Sequence, residues 1–335
     1  KMPYIVYIGK ILLYIFLAYL VCNDKMTIDK LILLISYFEL TITCTDSMLT
    51  YLLNLSNYGI RVKRIKNILD YTSDSNIDFG DITNDYINGV VVFDKVNYEI
   101  KDKAILNNVS FKIYPNEITT IVGHSGSGKT TIVNLLYRLD RIKSGSITID
   151  EENIYNYDKK TYASNVSGVF QKPFVFEMSI KDNLSLVDSN HRNQIEACKR
   201  VGIHDFIESL PKGYNTIINE EERLLSEGQK QLLVIARAIL TKSEILLFDE
   251  VTSNIDPNST TKIGEILKDL KQDHTIIMIT HKPEMMEIAD RVIVLNKGKV
   301  VSKGTNEEVF NKSSLYRELR NRTFASISNT ENEII

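Results

Sequence analysis

The octapeptide GHSGSGKT, Gly123 to Thr130, constrains this chain more than any other stretch, because it fits the pattern G-x-x-x-x-G-K-[ST] and demands one local architecture. Ahead of it, Ile118, Ile121 and Val122 form a short β-branched run. Behind it, the spacing predicts a helix over Lys129 to Asp140 with Ile132, Val133, Leu135, Leu136 and Leu139 on one face. The order is therefore strand, loop, helix. Gly123, Gly126 and Gly128 let the backbone curl with its N–H groups inward, the helix start adds the positive end of its dipole, and Lys129 contributes an ammonium. This is a cradle for the β and γ phosphates of a nucleotide, with the Thr130 hydroxyl set to meet a divalent cation.

Ile245, Leu246, Leu247 and Phe248 are apolar at consecutive positions, the pattern of a parallel strand buried on both faces, and the run ends in Asp249 and Glu250. Ligands of open parallel sheets sit at the carboxyl ends of strands, so Asp249 is expected near the cation and Glu250 beside an attacking water. LSEGQ, Leu225 to Gln229, opens a further helix: Ser226 with Gln229 three residues later is a capping box, and Leu232, Leu233, Ile235, Ala236, Ile239 and Leu240 follow on a core-facing side. A capped helix start also suits an anion, so the Ser226 hydroxyl and the Gly228 N–H are candidates for a γ-phosphate as well.

Together with Gln171 and His281, these motifs make the stretch from about Val90 to Phe324 resemble the nucleotide-binding domain of ATP-binding cassette (ABC) transporters, LSEGQ being similar to their signature motif. The resemblance implies ATP and Mg²⁺ as cofactors and an ATPase as the activity. It places Gly123, His124, Ser125, Gly126, Ser127, Gly128, Lys129, Thr130 and Thr131 around the phosphates, and Thr130, Gln171 and Asp249 at the metal. Glu250, His281, Gln171 and Lys129 become the catalytic set, with His281 similar to the switch histidine and Gln171 to the Q-loop that touches the membrane domain. A second cassette is implied too, homodimeric or heterodimeric and head to tail, so that Ser226, Gly228 and Gln229 serve the partner's nucleotide. Asp256, in SNID, is similar to the D-loop that links the two sites. Two positions depart from the family pattern. Ile100 falls where an aromatic ring normally stacks on adenine, and base–aromatic stacking is worth about 1–3 kcal/mol, so a weaker preference for ATP is expected. Glu227 replaces the usual glycine of the signature, a carboxylate that suits a helix start.

The first seventy or so residues are of another kind. Tyr4 to Cys22 is apolar and aromatic with Lys10 as its only charge, long enough to cross a hydrocarbon core of about 30 Å. Thr27 then precedes a second helical stretch running toward Leu69, with Glu39 and Asp46 in its apolar part and Arg61, Lys63, Arg64 and Lys66 at its far end. The positive-inside bias puts that end, and the ATPase after it, in the cytoplasm. An intramembrane carboxylate is a functional candidate by default, while Asp46 equally marks where lipid contact thins. These two helices are similar to the last pair of an ABC exporter half, which usually carries six. The chain, beginning at Lys1, therefore reads as a truncated form, a fragment or a split gene product, with further transmembrane helices expected as partners and the lipid bilayer as its setting.

The fold expected is an α/β P-loop ATPase of ABC type, a mixed sheet plus a helical subdomain at about Pro173 to Leu240, preceded by two membrane-type α-helices. The expected domains are 1–75 (partial transmembrane domain), 76–325 (nucleotide-binding domain) and 326–335 (disordered tail). A net charge of −3 carries no nucleic-acid signature, and Cys22, Cys44 and Cys198 have no paired spacing that would suggest disulfides or a metal. The expected function is ATP hydrolysis driving export of an unknown substrate from a multi-pass position in the cytoplasmic membrane. The alternatives are a non-transporting or truncated ABC ATPase that serves a partner, and a soluble-type ABC ATPase.

Overall fold

The computed structural model describes residues 2–23, 25–74, 79–84, 87–101, 103–219, 224–253 and 255–321. It divides into two units, Lys1–Asn76 and Ile77–Ile335. The tail expected from 326 onward lies outside the described residues.

The first unit is a pair of helices, α1 (Met2–Cys22) and α2 (Ile28–Asp74). At 1.5 Å per residue α2 is about 70 Å long, and it continues past the expected end at Leu69. Among the described residues, Ile28–Asn67 is the stretch long and apolar enough to cross a membrane, and the apolar part of α1 over Tyr7–Cys22 is shorter. Large apolar side chains on both helices stand exposed, Leu12, Tyr37 and Leu53 among them. The polar residues of α2 satisfy themselves along the helix. Ser36, Thr41, Thr43, Thr45 and Thr50 each donate a hydroxyl to the carbonyl four residues earlier, at 2.8–2.9 Å. Glu39 is not a lone carboxylate: it accepts from Lys10 Nζ at 2.9 and 2.7 Å and from the Tyr14 hydroxyl, so the sole charge of α1 meets an acid of α2. Asp46 is exposed.

The second unit begins with β1 (Val91–Ile100), β2 (Lys103–Ile113), β3 (Ile118–Gly123), α3 (Lys129–Leu136), β4 (Ser144–Ile149) and β5 (Glu152–Asn153). Next come α4 (Lys159–Asn165), β6 (Val166–Val169) and the helices α5 (Ile180–Ser185), α6 (His191–Arg200), α7 (His204–Ser209) and α8 (Glu227–Leu240). The chain closes with β7 (Ile245–Asp249), α9 (Pro257–Leu270), β8 (Thr275–Ile279), α10 (Pro283–Glu287), β9 (Arg291–Asn296), β10 (Lys299–Thr305) and α11 (Asn306–Lys312).

The mixed sheet expected from the sequence is realised as two sheets. One is antiparallel in the order β2-β1-β4-β5, and the other runs β10-β9-β3-β8-β7-β6 with all neighbours parallel except the β9–β10 hairpin. Between Ile113 and Ile118 the chain turns, with Asn116 left-handed (φ 56°), and passes from the first sheet to the second. The central strands are apolar at successive positions because they divide two cores. Leu246, Phe248, Ile276 and Met278 face one that includes α5 to α9, whereas Leu247, Ile277 and Ile279 face the other, with α3 and the antiparallel sheet. Phe93 and Phe111, paired across β1 and β2, stack in that second core with ring centroids 4.4 Å apart. Helix α3 is shorter than expected. It ends at Leu136, Arg138 turns left-handed (φ 56°), and Leu139 is 59% exposed instead of lying on the buried face.

Removing one member of the α1–α2 charge pair leaves the other without its partner in an apolar setting. Glu39→Ala is therefore expected to lower the thermal midpoint of the detergent-solubilised chain, and Lys10→Leu combined with Glu39→Leu to restore it. A single variant as stable as the parent would show that the pair contributes nothing.

Candidate nucleotide site

Strand register assembles the site. Ile121 of β3 lies beside Ile279 of β8, which lies beside Asp249 of β7, so the three strands reach their carboxyl ends at one level. The loops leaving that edge carry Gly123 to Gly128, Glu250, and Thr280 to His281. They meet around a pocket of about 520 Å³ whose lining includes Ser125, Gly126, Gly128, Lys129, Thr130, Thr131, Glu250 and His281.

The loop between β3 and α3 is shaped for close approach. Gly128 caps α3 with φ 103°, and a Cβ there would sit 2.6 Å from Leu106 Cδ2 of the neighbouring sheet. Gly123, His124 and Ser127 build the loop without lining the pocket: Ser127 is buried, its N–H donates to the His124 carbonyl at 3.1 Å, and its own carbonyl accepts from Gly298 N–H at 3.1 Å. Lys129 is buried and turned back on the loop, donating from Nζ to the carbonyls of Gly123 (3.0 Å) and His124 (3.2 Å). Burial holds this ammonium below the usual lysine range, against the pull of Glu250 and Asp249.

Glu250 is the hub on the opposite wall. One carboxylate oxygen accepts from Gln171 Nε2 at 3.0 Å, and the other lies 3.0 Å from His281 Nε2. Its backbone is left-handed (φ 49°), a conformation costing a non-glycine residue about 1–2 kcal/mol, held in place by its N–H on the Ile279 carbonyl at 2.9 Å. Burial lowers the His281 imidazole below its ordinary range, and the Lys129 charge lowers it further, while Glu250 acts the other way. Asp249 ends β7 half-buried, with its carboxyl raised by burial and then by Glu250, and lowered by Lys129. Of the three oxygen donors expected at a cation, Thr130 lines the pocket, while Asp249 and Gln171 lie outside its lining, next to Glu250 in sequence and bonded to Glu250 respectively; hydroxyl, carboxylate and amide oxygens are the chemistry that a hard divalent cation takes. Among the described residues no group of three His, Cys, Asp or Glu side chains could hold a metal, so a cation here would depend on phosphate oxygens and water for its remaining ligands.

Other residues singled out from the sequence lie elsewhere. Ser226, Gly228 and Gln229 do not line the pocket. They open α8 through the capping box read from the sequence, with Ser226 Oγ accepting from Gln229 N–H at 3.2 Å and Gln229 Oε1 accepting from Ser226 N–H at 2.9 Å. Glu227 is turned to Lys230, 2.8 Å away. Asp256 caps α9, accepting from Ser259 N–H at 2.9 Å, and that bond lowers its carboxyl. Lys282, next to His281, reaches into the same turn and donates to the Ile255 carbonyl and the Thr260 hydroxyl.

Ile100 also stands outside the lining. It ends β1, 48% exposed and paired with Lys103, and the chain reverses at Lys101 (φ 48°) so that Lys103, Ala104 and Ile105 face the pocket instead. Lys297 joins them from the β9–β10 turn. These four were not read from the sequence. The contact of that turn with the phosphate loop is long-range: Gly298 N–H donates to the Ser127 carbonyl, and the Gly298 carbonyl accepts from Asn107 N–H at 2.8 Å.

The sequence profile of the family described as ABC transporter matches residues 106–253. The chain is 37% identical over 266 residues to the alpha-hemolysin translocation ATP-binding protein HlyB of Proteus vulgaris, which covers 78% of this chain and 37% of the relative. It is 34% identical over 254 residues to the ATP-dependent lipid A-core flippase of Idiomarina loihiensis, covering 74% of this chain and 44% of that one. It is 32% identical over 310 residues to the human ABC-type oligopeptide transporter ABCB9, covering 91% and 40%. The chain thus spans less than half the length of these relatives. Among solved structures, a bacterial Atm1-family ABC exporter with ATP bound superposes with a TM-score of 0.69 at 30% identity, over 79% of this chain and 48% of the other. The chain belongs to the ABC transporter family, and its second unit carries that family's ATP-binding domain.

Proposed function

We propose that this chain binds ATP with Mg²⁺ at a site completed by a second cassette, and that hydrolysis there drives export of a substrate across the cytoplasmic membrane. The observation that carries the reading is the division of the motif residues. Glu250 and His281 line one pocket and Gln171 bonds to Glu250 from outside its lining, while Ser226, Gly228 and Gln229 form a capped helix start elsewhere. A second copy placed head to tail would bring that helix start, with its N–H groups and hydroxyl, to the phosphates.

Within one chain the division of labour follows from position. The N–H groups of the loop and of the first turn of α3 receive phosphate oxygens, and Lys129 exchanges its two carbonyl partners for the β and γ phosphates. Thr130, Asp249 and Gln171 are the residues to hold Mg²⁺, which when bound neutralises charge between those phosphates. Glu250 orients and polarises the attacking water, and His281 contacts the γ-phosphate once its bond to Glu250 is released. Asp256, whose neighbours Ile255 and Thr260 are joined to the His281 segment through Lys282, links the two composite sites.

Helix α2, long and apolar enough to cross a membrane, supports a bilayer setting, and Arg61, Lys63, Arg64 and Lys66 favour a cytoplasmic cassette. Remaining transmembrane helices are the expected partner. Beside Gln171, the exposed Phe170, Phe174 and Phe176 offer an apolar face for loops of that partner. The hemolysin, lipid A-core and oligopeptide named for the relatives are chemically unlike, so the cassette does not specify the cargo.

Glu250→Gln is expected to keep ATP binding and to reduce phosphate release by about 10²-fold or more, as for loss of a group acting only in the transition state; near-parental release would remove Glu250 from the mechanism. A mixing experiment tests the shared site. Lys129→Ala and Ser226→Arg are each expected to be inactive alone, but an equal mixture of the two regains up to about one quarter of parental activity, because half the dimers then hold one intact pair of surfaces. No recovery, with dimers demonstrably exchanging, would sink the head-to-tail arrangement. The imidazole of His281 should titrate below about 6.5 in the nucleotide-free protein, and Glu250→Gln, which removes a raising influence, should move it lower still. Histidine C–H resonances report this directly, and an upward shift would contradict the Glu250–His281 contact.

A further inference from the structure

Arg138 is the largest fully buried side chain of the second unit and has no part in the nucleotide pocket. It is 2% exposed, and three aromatic rings surround its guanidinium: Phe79 at 4.1 Å from the ring centroid, Tyr162 at 5.0 Å and Tyr155 at 5.6 Å. NH1 donates to the Tyr157 carbonyl at 3.2 Å. A cation desolvated to this degree and faced by several rings is the strong case of cation–π attraction.

The position of each participant matters. Arg138 follows Tyr137, the C-cap of α3, so it sits at the far end of the helix whose first turn forms the phosphate cradle. Tyr162 donates its hydroxyl to the Leu136 carbonyl and grips the last turn of the same helix. Phe79 belongs to the second unit but lies where the chain arrives from the first, five residues after Asp74 ends α2. The arriving segment is fastened there. Gly80 N–H donates to the Tyr157 carbonyl at 3.1 Å, Ile82 N–H to Asn156 at 3.0 Å, and Asp158 N–H returns a bond to Ile82 at 3.0 Å. The approach is so close that a Cβ at Gly80 would fall within the Asn156 carbonyl. The incoming chain and α3 therefore share one attachment, and Phe79 on Arg138 is its side-chain component.

We infer that Phe79 and Arg138 form a positioning pair for the phosphate loop, tying the segment Phe79 to Ile82, which follows the first unit in sequence, to the end of α3, so that nucleotide occupancy is felt at that segment. A helix of eight residues is a stiff rod of about 12 Å. When phosphates pull on its first turn, a displacement reaches Arg138 nearly undiminished, and the ring on the guanidinium follows. The inference rests on the nucleotide-site reading above.

The chain contains no tryptophan, so Phe79→Trp in the full chain supplies a single indole reporter. It is titrated with Mg²⁺ and a non-hydrolysable ATP analogue, with binding measured independently by equilibrium dialysis. The expected result is an emission shift whose midpoint matches the dialysis constant and which Arg138→Gln abolishes. In parallel, Phe79→Ala should raise KM for ATP about five-fold or more with little change in kcat, the size of one desolvated cation–π contact, whereas Phe79→Tyr should stay near the parent. Full analogue binding with an unmoved indole, or a parental KM in Phe79→Ala, overturns the positioning role and leaves the nucleotide site intact. Absence of analogue binding in the parent overturns the nucleotide-site reading itself.

Discussion

Parallel pairing of β3, β8 and β7 is the constraint on which the second unit depends. Hydrogen bonding fixes their relative slide, and Ile121, Ile279 and Asp249 end up abreast. Three loops far apart in the chain then leave the sheet at one edge, and Glu250 needs no long reach to meet His281 on one side and Gln171 on the other. A slip of one residue in any strand would exchange its two buried faces and point the wrong side chains at each core. The same apolar runs that hold the sheet together therefore also align the chemistry.

Because that sheet has a core on each face, the two halves of the unit serve different ends. The face shared with the antiparallel sheet holds α3 and the phosphate loop, while the other holds the helices that carry the LSEGQ cap. Glu250, with its left-handed backbone, sits at the seam, and its carboxylate is shared between a residue that leaves β6 and one that leaves β8. Lys129 bonds to two loop carbonyls and Glu250 to Gln171 and His281, so the groups suited to phosphate and water are fixed in direction by their neighbours.

What could be read from the sequence follows the range of the physics involved. The cradle at Gly123 to Thr130, the buried strand Ile245 to Phe248 and the Ser226–Gln229 box are local patterns, each set by residues within a few positions of one another, and each is present. Features set by distant contacts were not legible. The division of the strands into two sheets is one, because the turn at Asn116 carries the chain to another layer. Leu139 fits a helical period yet stands in solvent, because Arg138 is drawn into its aromatic cage and stops the helix. Lys103, Ala104 and Ile105 reach the pocket from the start of β2 and Lys297 from a hairpin more than a hundred residues downstream, and Ile100, aligned by motif, does not reach it.

The bond from Gly298 to the Ser127 carbonyl joins the phosphate loop to a hairpin that lies about 170 residues downstream. Synthesis runs from the amino terminus, so a nascent chain on the ribosome holds every catalytic motif up to His281 before it holds the clasp that steadies the first of them. The nucleotide pocket is thus closed late, by a segment with no catalytic side chain of its own. Until then the glycine-rich loop is left to the helix behind it and the strand in front.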